Sequence, residues 1–222
     1  MSLFDPKSLF ESLIMLIPLV LSLSVHEWAH AWSAYKLGDD TAQRLGRMTL
    51  NPISHIDPIG TILLPLLGVP FGWAKPVPVN PARFGRKVSM RAGMMITASA
   101  GPVSNIVLAV GCTVVLGLAI RFAEGLLRSQ PALGLLLQHG IGLNLVLAIF
   151  NLLPIPPLDG SRVADGLMPQ KLRPMWESFA RQGPILLLMV IFVPSFLGFS
   201  IIEWPLRQAE TLIAHLFHFV AT

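Results

Sequence analysis

Four long stretches of the chain carry almost no charged residues. They are Ser12–Tyr35, which is interrupted only by Glu27, then Ala92–Ile120, Ser129–Leu158 and Gln182–Ile202. Each has at least the ~20 residues that cross a hydrocarbon core about 30 Å thick. The pattern therefore predicts an all-α membrane protein with about four transmembrane helices, near residues 9–36, 92–120, 132–153 and 183–203.

A shorter apolar run, Ile59–Val69, lies between the first two predicted spans and is too short to cross a bilayer. Its glycines and proline disfavour a regular helix, and the alternation of proline and valine up to Asn80 is typical of an extended hairpin. We therefore expect a short membrane-embedded segment and a re-entrant β-hairpin within residues 59–80. A possible amphipathic surface helix is predicted near residues 208–221. The whole chain, residues 1–222, is expected to form a single membrane domain.

The composition supports this interpretation. Only 13% of the 222 residues are charged, whereas soluble domains carry about a quarter. A single cysteine, Cys112, excludes an intrachain disulfide. The net charge of +4 is accompanied by no basic stripe and no nucleic-acid motif, so we expect no nucleic-acid partner.

The basic residues are distributed unequally between the two predicted sides of the membrane. Loops 36–91 and 159–181 together hold twelve lysines and arginines, and the rest of the chain holds four. Cytosolic loops carry an excess of these residues. The two loops are therefore expected in the cytosol, and both termini outside it. The compact chain and the absence of targeting segments lead us to expect the plasma membrane of a prokaryote.

The sequence His26-Glu27-Trp28-Ala29-His30 has the H-E-x-x-H pattern and lies in the first predicted span. A spacing of four residues places both imidazoles on one face of a helix, within reach of one metal ion. The glutamate can then accept a proton from a metal-bound water. Ionisable groups inside a membrane helix are costly and usually functional. The alternative is a polar trio that packs helices together through hydrogen bonds.

A two-histidine site needs a third protein ligand, and Asp159 is the only acidic residue at the end of the third predicted span. His26 would lie roughly 26 Å along a helix that begins near residue 9, and so near its cytosolic end. The third span runs inwards and brings Asp159 to the same level. An ordinary aspartate in a helix-ending turn is the alternative interpretation.

These motifs resemble those of the site-2 protease family of intramembrane zinc metalloproteases, peptidase family M50. The resemblance also includes Gly101-Pro102-Val103-Ser104-Asn105 in the second span and the segment from Asn151 to Asp159, which ends in Leu-Asp-Gly. It covers nearly the whole chain and is closest to a minimal member, without a PDZ insert or a CBS domain. It implies one zinc ion per chain, with the ligands His26, His30 and Asp159.

The same resemblance implies roles for other residues. Glu27 would act as general base and acid, and Asn151 would orient the substrate or stabilise the oxyanion. The family's β-hairpin presents bound substrate as an added strand, so Gly72, Val77 and Val79 are expected to bind substrate. Asn105 would either line the active-site groove or serve as a polar helix-packing residue. His55 would be either structural or a nearby polar partner of the site.

The expected function is hydrolysis of peptide bonds in or near transmembrane segments, as in regulated intramembrane proteolysis. The expected partners are a transmembrane protein substrate and the lipid bilayer, and the active site is expected near the cytosolic face. One alternative is a catalytically silent membrane protein of the same fold that binds or regulates a partner. A metal transporter is a second alternative, but the acidic and histidine groups gather at one end of the spans rather than along them.

Overall fold

The computed structural model describes residues 6–67, 72–197 and 202–222, and the regular elements within these ranges are all helical. The α-helices are α1 (Pro6–Lys36), α2 (Thr41–Arg44), α3 (Leu64–Leu66), α4 (Met90–Phe122), α5 (Glu124–Ser129), α6 (Pro131–Asn151), α7 (Asp159–Leu167), α8 (Arg173–Arg181), α9 (Gly183–Leu197) and α10 (Glu203–Ala221). A π-helical turn, Pro58–Leu63, precedes α3. Short 3₁₀ turns occur at Pro52–Ser54, Pro81–Arg83 and Gln170–Leu172.

Helix α4 forms the centre of the fold and packs against α1, α6, α7 and α10. Its buried positions are mostly small or polar, among them Gly93, Ala98, Gly101 and Ala109. Small residues let helix backbones approach closely where no bulky side chain fills the gap. The site described below lies at such a close approach between α1 and α4.

The prediction of four transmembrane helices is wrong for the described part of the chain. Two helices, α4 and α6, are long and apolar enough to cross a membrane, and a third span results only if α8 and α9, bent by 63°, count as one. The described part of helix α9 has 15 residues, which span about 22 Å. From Met15 onwards, α1 contains the polar HEWAH sequence and ends at Lys36, which lowers its mean hydropathy.

The predicted re-entrant β-hairpin is also wrong, since the described residues form no strand. Residues 72–80, which we call the strap, have no regular secondary structure and bond to helices and loops instead of a second strand. Trp73 donates its backbone N–H to the carbonyl of Gly60, in the π-helical turn, at 3.3 Å. Pro76 and Pro78 have no N–H to donate to a ladder. The part of the predicted embedded segment that is described, residues 59–67, is mostly helical.

The tail forms a helix, as predicted, but it begins earlier, at Glu203. Helix α10 packs along α4, where Val220 covers the position of Gly117. That α10 lies on the membrane surface stays a prediction, and so does the single-domain organisation of the chain.

Candidate metal centre

Three potential ligands converge between α1 and α7. His26 and His30 lie one turn apart on α1, and their Nε2 atoms are 3.0 Å from each other. Oδ2 of Asp159, the first residue of α7, lies 3.1 Å from Nε2 of His26 and 3.2 Å from Nε2 of His30. The ligand atoms of all three residues fit within 4.8 Å of one another, and both histidines are buried. This cluster is a candidate metal site.

Asp159 reaches the cluster because α7 begins very close to the end of α6. A Cβ atom at Gly160 would overlap the backbone carbonyl groups of Leu152 and Leu153. Glycine is therefore required beside Asp159 for this close approach. The Leu-Asp-Gly sequence thus has a geometric reason: the glycine lets the turn after α6 bring the aspartate to the histidines.

The other ring nitrogen of each histidine is hydrogen-bonded to α4. Nδ1 of His30 lies 2.7 Å from the backbone carbonyl of Thr97, which can only accept, so Nδ1 is the donor. Nδ1 of His26 lies 2.6 Å from Oδ1 of Asn105. In a neutral imidazole a proton on Nδ1 leaves the Nε2 lone pair free for a metal.

A chain of buried amides assigns the proton on His26. Asn144 of α6 donates from Nδ2 to the carbonyl of Gly140 at 2.7 Å, and so its Oδ1 must be the acceptor for Nδ2 of Asn105, also at 2.7 Å. The remaining Oδ1 of Asn105 then accepts from Nδ1 of His26. Starting from a carbonyl that can only accept, every donor and acceptor in the chain is determined.

Gly101 of α4 forms the wall that faces the cluster. A Cβ atom there would lie 2.5 Å from Nε2 of His30 and 2.6 Å from Nε2 of His26. The glycine therefore keeps open the space in front of both metal-facing nitrogens. Thr97, Gly101 and Asn105 are spaced by four residues and lie on one face of α4.

The donor set fits a zinc ion. Two Nε2 lone pairs and one carboxylate oxygen face one another with no proton between them, an arrangement that a cation stabilises. Two histidines and one carboxylate, with a position left for water, are a usual set for catalytic zinc.

Comparison with known proteins places this site in a family. The model of "Peptidase family M50" matches residues 120–191. The protein named "Putative zinc metalloprotease YwhC" of Bacillus subtilis (strain 168) is 44% identical over 208 residues, which cover 93% of this chain and 90% of that protein. The chain belongs to peptidase family M50. The family resemblance predicted from the motifs is therefore confirmed.

Two further relatives are more distant. The protein named "Putative zinc metalloprotease Rip2" of Mycolicibacterium smegmatis is 30% identical over 193 residues, covering 83% of this M50 chain and 70% of the relative. The protein of the same name from Mycobacterium tuberculosis (strain H37Rv) is 29% identical over the same shares. No solved structure matches this M50 member significantly.

Glu27, the predicted general base, is buried beside the two histidines and meets the strap. Its Oε2 accepts a hydrogen bond of 2.7 Å from the backbone N–H of Val77. The strap is held on both sides of this contact. Lys75 donates to the carbonyl of His55 at 2.9 Å, and Asn80 donates to Oδ2 of Asp39 at 2.6 Å.

The other predicted site residues lie at varying positions around the cluster. Asn151 ends α6 and donates from Nδ2 to Leu147 in its own helix at 3.0 Å. Gly72 packs over the carbonyl of Gly60, and Val79 is half-buried on the strap. Asn105 is fully buried and contacts His26, so it orients a candidate ligand; its contact with substrate stays a prediction.

His55 lies outside the cluster and has a structural contact. It is almost fully buried, and its Nε2 bonds the carbonyl of Thr49 at 2.8 Å while its own carbonyl accepts from the strap. This favours the structural interpretation of the two that the sequence allowed.

Sequence reasoning missed Asn144 and Asp39. Asn144 is an amide in the middle of the largely apolar α6, a signal that ordinarily marks a functional or helix-packing position. Asp39 is a buried carboxylate that accepts from Thr41 as well as from the strap. Its position directly after α1 could have indicated a capping role, but not that it holds the strap.

Proposed function

We propose that this M50 member is an intramembrane zinc endopeptidase that hydrolyses peptide bonds in or near the transmembrane segments of other membrane proteins. The observation that carries the proposal is the convergence of His26, His30 and Asp159 on a space that Gly101 keeps open, beside Glu27. The names of the relatives, which call them zinc metalloproteases, support it.

We assign the three converging residues as the ligands of one zinc ion. Zinc supplies Lewis acidity, which activates water and polarises the scissile carbonyl. Asn105 and the carbonyl of Thr97 keep the two imidazoles in the tautomer that binds metal. Glu27 accepts the proton of the attacking water and returns it to the leaving amine.

Asn151 is assigned to the substrate side of the site. One N–H of its side-chain amide bonds the carbonyl of Leu147, and the second has no partner among the described residues and can donate to the carbonyl oxygen that becomes negative during attack. This role rests on the family resemblance. Its chemistry suits an amide because a preorganised neutral donor stabilises an oxyanion without competing for zinc.

The strap is assigned as the surface that receives the substrate. A transmembrane helix must unwind before its peptide bonds can be attacked, and an extended peptide can then pair with an extended segment. Within the described residues, the backbone N–H and C=O of Val79 have no hydrogen-bond partner. Val77 places the same segment next to Glu27, and Gly72 begins it.

The membrane setting follows from α4 and α6, which are apolar enough to span a bilayer. The excess of basic residues in loops 36–91 and 159–181 supports a site near the cytosolic face, in a prokaryotic plasma membrane. The partner on this proposal is a single-span or multi-span membrane protein whose identity the site does not specify.

The test is cleavage of single-span reporter proteins by the purified enzyme in proteoliposomes. Wild type should cut, and a zinc chelator should stop it. Glu27→Gln should retain zinc by elemental analysis but cut at least a hundredfold more slowly, because a general base typically contributes 10²–10⁴-fold. The matched control is Glu124→Gln, which alters an exposed glutamate of α5 paired with Arg128 and should leave cutting unchanged.

Cutting by Glu27→Gln at the wild-type rate would exclude the assigned mechanism. Zinc binding without cutting by either protein, across a panel of reporters, would favour a catalytically silent protein that binds membrane partners.

A further inference from the structure

Helix α8 has an exposed apolar face that is not part of the proposed catalytic site. Three of its nine residues, Met175, Trp176 and Phe179, are large and apolar, and three are charged. Met175 is 65% exposed and Phe179 is 37% exposed. These two residues are four positions apart and so lie on one face.

The helix that follows α8 defines where this face lies. Helix α9 has no charged residue, and its large side chains point outwards, with Ile185, Leu188, Met189 and Phe192 all about half exposed or more. Such a surface needs lipid around it. Because α8 is bent by 63° from α9 across Gln182 alone, α8 lies within about 30° of the membrane plane when α9 runs along the bilayer normal.

The remaining faces of α8 are already accounted for. Trp176 and Ala180 line a cavity shared with Met94 of α4 and with Pro156, so this side faces the body of the protein. Ser178 and Arg181 are exposed on the side that is polar. The apolar side of α8, with Met175 and Phe179, therefore lies between the side that faces the protein and the polar side.

The charges of this region favour anionic lipid. Lys171 and Arg181 flank the single carboxylate of α8, Glu177, in the sequence, and a third basic residue, Arg173, lies near Asp165 of α7. Basic residues beside an apolar helix face extend their charged ends towards headgroups while their stems stay on apolar surface. Lipid phosphates and anionic headgroups attract such segments within a Debye length of the surface.

We propose that α8 is an interfacial helix that lies on anionic lipid, with Met175 and Phe179 inserted at the boundary between headgroups and acyl chains. The leaflet is the one nearest the metal centre. This follows because Arg173 lies 3.7 Å from Asp165 of α7, and Arg91 at the start of α4 donates to the backbone carbonyl of the same Asp165. The proposal holds whether or not the chain cuts peptide bonds.

The lipid contact also bears on the metal centre. Asp165 belongs to the helix that begins with Asp159, so α8 is joined through Arg173 to the element that carries a candidate zinc ligand. Seating α8 on the membrane thus also restrains α7 through the contact between Arg173 and Asp165.

The experiment places single nitroxide labels on α8 in proteoliposomes. Cys112 is first replaced by alanine, since it is the only native cysteine. Labels are then attached at Met175→Cys and Phe179→Cys on the apolar side, and at Ser178→Cys and Arg181→Cys on the polar side as matched controls. Collision with dissolved oxygen reports lipid, and collision with a water-soluble nickel chelate reports water.

We expect the labels at 175 and 179 to collide with oxygen severalfold more, and with nickel severalfold less, than those at 178 and 181. Adding phosphatidylglycerol to phosphatidylcholine vesicles should deepen the labels at 175 and 179. Lys171→Gln with Arg181→Gln should abolish that deepening.

Three results would overturn the proposal. Equal nickel collision at all four positions would place α8 in water. Low collision with both reagents at 175 and 179 would show that protein, such as a second copy of the chain, covers the face. Depth that does not respond to phosphatidylglycerol would exclude the preference for anionic lipid.

Discussion

Asn105 accepts a hydrogen bond of 2.6 Å from Nδ1 of His26, and this contact links the centre of α4 to a candidate zinc ligand on α1. Asn105 in turn is held by Asn144 of α6. Three helices therefore determine the orientation of one imidazole. Groups that hold a metal ligand from behind typically change metal affinity by 10–100-fold when they are removed.

Asn105→Leu should weaken zinc binding by about 10–100-fold, because His26 loses the acceptor that sets its tautomer. The measurement is competition for zinc with a chelator of known affinity. Thr113→Val is the matched control: Thr113 is equally buried on the same helix, but its hydroxyl bonds only the carbonyl of Ala109. Equal zinc affinity for wild type and Asn105→Leu would contradict the role of Asn105.

Gly101→Ala should abolish zinc binding, since the added methyl group would lie 2.5 Å from Nε2 of His30 and 2.6 Å from Nε2 of His26, where the ion would have to sit. Elemental analysis of the purified protein measures this directly. The control is Gly111→Ala, also on α4, where an added Cβ atom would have no other atom within 4 Å. It should retain zinc and stabilise the helix by up to about 1 kcal/mol, the usual gain for this exchange. Full zinc content in Gly101→Ala would show that the ion sits elsewhere.

Asp159→Asn should weaken zinc retention, because an amide oxygen replaces the only carboxylate of the cluster. The control is Asp165→Asn in the same helix, which loses ion pairs no closer than 3.7 Å and should keep its zinc. Dialysis against a weak chelator, followed by elemental analysis, distinguishes the two. If both variants held zinc equally well, the third ligand would have to be another residue.

Val77→Pro should slow peptide-bond cleavage about ten- to hundredfold with zinc content unchanged, because it removes the N–H that bonds the Glu27 carboxylate. Val77 lies outside any helix and already precedes Pro78, which itself disfavours the helical conformation at this position. Val77→Ala keeps the N–H and separates the loss of the donor from the loss of the side chain. Matching rates for the two variants would mean that the hydrogen bond does not orient Glu27.

The proximity of His26 and His30 could be predicted because it is local: four residues of helix place both rings on one face. The approach of Asp159 could be predicted from depth, since the expected first and third spans would bring their ends to one level. The Asn105–Asn144 contact could not, because it depends on how α4 and α6 are rotated about their axes, and hydropathy carries no information on rotation.

The two incorrect predictions have a common origin: both rest on local sequence patterns, which carry no information on what a segment contacts in the folded chain. Alternating proline and valine matches an edge strand, yet the strap bonds Glu27, His55 and Asp39 instead of a second strand. The charge-free stretch at residues 182–202 predicts one straight span, but α9 follows α8 at a bend of 63°, which hydropathy does not indicate.

Thr97, Gly101 and Asn105 lie on one face of α4, so the geometry of the metal centre depends on how this helix is rotated about its axis. Both imidazoles are hydrogen-bonded to α4, and the space for the ion lies at Gly101 of the same helix, between the two bonding positions. A rotation of α4 by a fraction of a turn would break both hydrogen bonds and close this space at the same time. Metal occupancy would then depend on the rotation of α4 about its own axis.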